Sequence, residues 1–134
     1  MKQNIFHFYV ISLFVPIFFG SCSEKTIEPN EISLKEAEQI VFYDILNNND
    51  SGKVIYELLT KLKSNTKVKQ RGPDSTKYSV PYNAWFFFID DQPDYRWAHA
   101  CRYVFIACEG GRQTIFNERF PPENFENLRV VIFK

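Results

Sequence analysis

Two stretches of this chain carry apolar side chains at nearly every position: AWFFFI (84–89) and CRYVFIAC (101–108). A strand with one wet face alternates apolar and polar residues, whereas an unbroken apolar run needs cover on both sides. AWFFFI therefore predicts a strand buried on both faces, and CRYVFIAC a second strand beside it. Between them lies DDQPDYRWAHA (90–100), where Asp and Pro are turn formers. The same region gathers both tryptophans, His99, Cys101, Cys108 and three aspartates. It is either a functional site or the middle of a small sheet.

The elements around it follow from local pattern. SLKEAEQIVFYDIL (33–46) predicts a helix, with Ser33 as N-cap and Glu36 three residues later as a capping box. NNNDSG ends it. KVIYELLTKLK (53–63) predicts a second helix, with Val54, Ile55, Leu58, Leu59 and Leu62 on one stripe. Residues 64–83 form a polar connection broken by Gly72-Pro73 and Pro81, with TKYSV as a short edge strand. EGGR (109–112) predicts a tight hairpin turn into QTIFNERF, because Gly110-Gly111 tolerates positive φ at both central positions. Pro121-Pro122 stops that strand, and NLRVVIF (127–133) predicts a last one. The expected fold class is α+β: two N-terminal helices packed on a three- to four-stranded antiparallel meander sheet.

The front of the chain has a different character. Lys2 precedes a nearly uninterrupted apolar run from Ile5 to Phe19, then Gly20, Ser21 and Cys22. A run of that length suits a signal h-region and is short for a span of about 20 residues. FGSC (19–22) resembles a bacterial lipobox, with Phe19 where Leu is usual. SEKTIEPNE after Cys22 is polar, as is the segment after the lipid-bearing cysteine in exported lipoproteins of the Bacteroidetes type. That resemblance implies a signal peptide over 1–21, lipidation of Cys22, a tether over 22–32 and one small domain over 33–134. It places the protein in the cell envelope, held to a membrane by lipid, periplasmic or surface-exposed. An ordinary signal peptide with an incidental Cys22, or an uncleaved anchor, is the alternative.

Cys101 and Cys108 then remain. Seven residues of strand separate them by about 23 Å, against the limit of about 7 Å between Cα atoms for a disulfide. Two free, buried thiols are expected. The chain has 16 basic and 16 acidic residues, and nothing in that balance argues for nucleic acid.

Two functional readings compete. In the first, His99 and Cys101 share a strand face, and a thiol beside an imidazole makes an activated nucleophile. Asp90, Asp91 and Asp94 with His99 would instead hold a divalent cation, although their spacing matches no calcium loop and no zinc pattern. In the second, Cys101 is packed, His99 is hydrogen-bonded, and Asp90, Asp91, Asp94, Arg96 and Trp97 belong to a turn that serves for binding. The basic run Lys61, Lys63, Lys67, Lys69 and Arg71 reads as a solvated face, or as a contact for phosphate or an acidic partner. RFPPENF (119–125) reads as a loop, or as an extended segment for an aromatic groove. No P-loop, dinucleotide fingerprint, G-x-S-x-G or H-E-x-x-H motif occurs, and no cofactor or metal is expected.

Two helices followed by a meander resemble cystatin-like and PepSY-like domains, and ISLKEAEQIV (32–41) resembles the first helix of bacterial cysteine-protease propeptides. These resemblances imply a non-catalytic binding module, propeptide-like or inhibitor-like, with a protease as partner. LRVVIF is the candidate edge for strand pairing with that partner. The other readings are a small thiol or metal enzyme centred on His99 and Cys101, and an N-terminal fragment of a larger secreted protein.

Overall fold

The computed structural model describes residues 30–134. The leader, Cys22 and the start of the tether lie outside the described residues. One short α-helix among the described residues, α1 (Leu34–Ile40), opens the domain and runs on as a π-helical turn, Val41–Ile45; a 3-10 turn, Phe125–Asn127, comes late in the chain. Its capping box is in place: the Ser33 hydroxyl accepts from the Glu36 amide, and the Glu36 carboxylate accepts from the Ser33 amide. Asn47 and Asn48, both at positive φ, end it. Seven strands follow: β1 (Val54–Glu57), β2 (Val68–Lys69), β3 (Lys77–Tyr78), β4 (Ala84–Asp90), β5 (Cys101–Ala107), β6 (Gln113–Glu118) and β7 (Arg129–Val131). Five form one antiparallel sheet in the order β6-β5-β4-β1-β7, and β2 and β3 form a separate pair.

The expectation of two helices on a three- to four-stranded meander is thereby corrected. The segment predicted as the second helix is β1 followed by a bend and an isolated bridge of Leu62 to Ala84, and β1 lies inside the sheet between β4 and β7. The cause is burial on both sides. Ile55 and Glu57 point into one core and Tyr56 packs against the other. Apolar residues on both faces erase the alternation that marks a strand, so a helical stripe fits the same letters. The β-branched and aromatic Val54-Ile55-Tyr56 suits a strand, and Leu59, assigned to the helical stripe, is exposed.

The meander is real for β4, β5 and β6, which pair in sequence order. At the β5–β6 turn Gly110 and Gly111 both have positive φ. A Cβ on Gly111 would also stand 2.7 Å from Ile40 Cδ1, so the turn lets α1 come close. The last strand does not join β6. It crosses to the opposite edge beside β1. The crossing segment passes over the sheet, where Phe125 packs on Tyr56 and Phe88 with ring centroids 4.6 and 5.7 Å apart.

The sheet thus has two covered faces. Ile55, Phe87, Ile89, Val104 and Ile106 meet Ala37, Val41, Ile45 and Leu46 of the helical segment. Phe86, Phe88, Cys101, Tyr103 and Phe105 meet Leu58, Leu62, Val68, Tyr78, Val80 and Leu128 from the connecting segments. No helix among the described residues is long and apolar enough to cross a membrane.

Candidate functional site

The loop between β4 and β5 has a closed base and an open tip. At the base, Asp91 and Arg102 form a two-pronged ion pair at 2.7 and 2.8 Å, the geometry that gives guanidinium–carboxylate pairs their directionality. The Asp91 amide donates to Ala100 O at 3.2 Å. The Gln92 amide donates to Asp90 Oδ1 at 3.1 Å, and the Gln92 side-chain oxygen accepts from the Ala100 amide at 3.1 Å. His99 is part of the same clasp. Its Nε2 lies 2.9 Å from Asp90 Oδ1, its Nδ1 contacts Trp97 O, and its amide donates to Arg119 O at 3.1 Å. Both ring contacts are to oxygen acceptors, so the ring makes both bonds only when it carries both protons.

The tip is the reverse of the base. Trp97 is 87% exposed and Tyr95 64%. Asp94 and Arg96 beside them are also exposed. Of the residues singled out from sequence, Asp90, Asp91 and His99 therefore brace the loop, while Asp94, Arg96 and Trp97 are displayed by it. Trp85, the other tryptophan, is structural. It is partly buried, and its Nε1 donates to Ile32 O at 3.0 Å.

Cys101 and His99 do not form a nucleophile–base pair. Asp90 and Cys101 are opposite in register, so the thiol starts on the same sheet face as Asp90. Cys101 is 2% exposed, and its Sγ contacts Phe120 O at 3.5 Å. Burial, with Asp90 and Asp91 adding to it, pushes the thiol pKa up to about 12. A reactive cysteine needs the opposite shift and an open approach. Both His99 nitrogens are already occupied. Cys101 and Cys108 are both free and buried. Among the described residues no group of three or more His, Cys, Asp or Glu side chains is placed to hold a metal ion.

The other segments singled out have structural partners. Lys61 pairs with Glu31, Lys69 with Glu123 at 2.9 Å and Arg71 with Glu126 at 3.5 Å, exposed ion pairs of small energetic weight. RFPPENF is the crossing loop: Pro122 bridges to Gln70, and Phe125 fills the aromatic face. LRVVIF contains β7, an edge strand on which Val130 and the following Ile132 are exposed.

Two features escaped the sequence. One is a groove of about 330 Å³ with Leu58, Leu62, Phe86 and Leu128 in its wall and Lys67 among its polar residues. It is assembled from three distant segments, which no local pattern reports. The other is an open recess beside the loop, lined by Gln92, Tyr95, His99, Asn117 and Arg119. Asn117 at the end of β6 and Arg119 just after it are brought there by the β5–β6 register, in which Asn117 faces Arg102.

The loop and the N-terminal segment lie at opposite ends of the sheet. Glu31 bridges to Glu109, and the Ile32 amide donates to Cys108 O at 2.8 Å, beyond the end of β5 that pairs with Ala84. The loop joins the other ends of β4 and β5, six residues and about 20 Å away. No protein-family model matches this chain, and no curated protein and no solved structure matches it either.

Proposed function

We propose that this protein is a non-catalytic binding module of the cell envelope, held to a membrane by lipid on Cys22 and presenting the Asp94–Trp97 tip away from that membrane. The single observation that carries the reading is the braced loop with its bare aromatic tip, set at the end of the sheet opposite to where the N-terminal segment enters. Trp, Tyr and Arg dominate the contacts that carry binding energy. Holding their backbone in place beforehand lowers the entropy lost on binding. The raised pKa and burial of Cys101 support the non-catalytic part. A protein partner such as a protease has a second route, strand addition at β7, favoured by its edge position and the exposed Val130 and Ile132.

Two measurements test this. Cys22→Ala should move the protein out of the membrane fraction and abolish labelling by a clickable fatty acid. A photo-crosslinking residue at position 97, in intact cells, should give a discrete adduct that the same residue at exposed position 59 does not. Equal yields at the two positions would remove the loop from the proposal.

A further inference from the structure

Building on the loop's proposed binding role, we infer that the recess beside it takes a neutral oligosaccharide chain. The argument is chemical complementarity. A sugar ring presents a C–H face that stacks on an aromatic ring and a rim of hydroxyls that both donate and accept. Tyr95 lines the recess and Trp97 stands exposed on the same loop; each offers the negative face of its π-system. Around them are planar polar groups suited to paired hydroxyls. Gln92 uses its side-chain oxygen on the Ala100 amide, which leaves its NH₂ for a ligand. The Asn117 side-chain amide makes no hydrogen bond among the described residues, and neither guanidinium, Arg96 or Arg119, has a carboxylate partner there. Asp94 is exposed as an acceptor.

The charge around the recess favours a neutral ligand. Asp91 is neutralised by Arg102, and Asp90 is engaged by His99. Glu118, also in the lining, is tied by Gln70 and Tyr78. Arg119 and Glu118 line the recess with opposite charges, and Arg96 and Asp94 repeat that mixture on the same loop, so no field of one sign selects a polyanion or a polycation. Tyr95, Ala98 and Ala100 give the recess an apolar floor of the kind a sugar's C–H face needs, with polar groups at its rim. The recess is open rather than enclosed, which suits a chain crossing it.

The test uses the full chain in a detergent without a sugar headgroup. The probes are malto-, cello-, xylo- and manno-hexaose; polygalacturonate and dextran sulfate; and Glu-rich and Lys-rich peptides. Tryptophan fluorescence and calorimetry are the readouts. The expected result is saturable binding of a neutral hexaose that salt does not weaken. The fluorescence change should vanish in Trp97→Phe, and affinity should fall about tenfold in Tyr95→Ala and several-fold in Asn117→Ala, with unchanged thermal unfolding. Binding of only the charged polymers or peptides, no binding of any hexaose, or full affinity in Tyr95→Ala and Asn117→Ala would each overturn the inference. A protein adduct at position 97 together with no hexaose binding would sink the saccharide and leave the binding module standing. Failure of both would remove both.

Discussion

On one face of the sheet a helix lies against mostly aliphatic side chains; on the other, irregular chain lies against rings. The helical face is closed by Ala37 and Val41, both fully buried, on Ile55, Ile89, Val104 and Ile106. A helix presents a regular row of side chains and satisfies its own backbone, so small and branched residues suffice to fill the gap. The loop-covered face has no such row. Its cover is the β2–β3 pair, the segment after β1 and the crossing loop. Irregular chain leaves polar groups that need partners, and the side chains of this face supply some of them. The Tyr103 hydroxyl donates to Phe120 O at 2.9 Å, and the Tyr78 hydroxyl and the Gln70 side-chain NH₂ both donate to the Glu118 carboxylate. The rings also span more space. Tyr103 meets Tyr78, Phe86 and Phe88 edge-on at 5.3–5.9 Å. Where regular structure is missing, large side chains with polar ends replace it.

The sharpest way to break that comparison is to hollow out each face in turn. Phe87→Ala and Phe88→Ala should each cost about 3–5 kcal/mol in urea unfolding. Hydrogen exchange should separate them. Only Phe88→Ala should speed exchange across Phe120–Leu128, because Phe125 rests on it; equal exchange in the two variants would mean the loops are held independently of the rings. A smaller effect is expected from Tyr103→Phe, which keeps the ring and removes the bond to Phe120 O. It should cost about 1 kcal/mol with the urea dependence unchanged. No loss would show that the carbonyl finds another donor.

The smallest effect concerns the one buried charged residue among the described residues. Glu57 is fully buried on the helical face, accepts from Arg129 Nε at 2.9 Å, and has its other oxygen without a partner. Burial raises its pKa, with the Arg129 hydrogen bond opposing and Glu38 adding to the rise. The folded state therefore holds this proton more tightly than the unfolded chain does. Glu57's contribution favours folding at low pH and is lost as pH climbs from the ordinary carboxylate value through the raised one. Relative to Glu57→Gln, the wild type should lose stability over that interval. Parallel pH profiles for the two would remove Glu57 from the account.

The site was legible in part. The loop and its residues stand in one segment, and turn chemistry identified it. What each residue does there was hidden, because Asp90, Asp91 and His99 look like Asp94 and Arg96 until the strands bring Arg102 and Ala100 across from them. Asn117 and Arg119 were invisible for a stronger reason. They join the recess only through the β5–β6 register.

By itself the sequence determined β4, β5, the glycine hairpin and the capped start of α1, since each rests on contacts a few residues apart: a run, a turn, a cap. It also determined that Cys101 and Cys108 stay unbridged, because strand length alone keeps them apart. Only the tertiary structure decided that 54–57 is a strand, that β7 lies next to β1, and that Glu57 is buried. Those outcomes depend on partners at long range: β4 for β1, β1 for β7, and Arg129 for Glu57. A segment buried on both faces loses the periodicity that would name it, so pairing chooses its conformation where propensity does not.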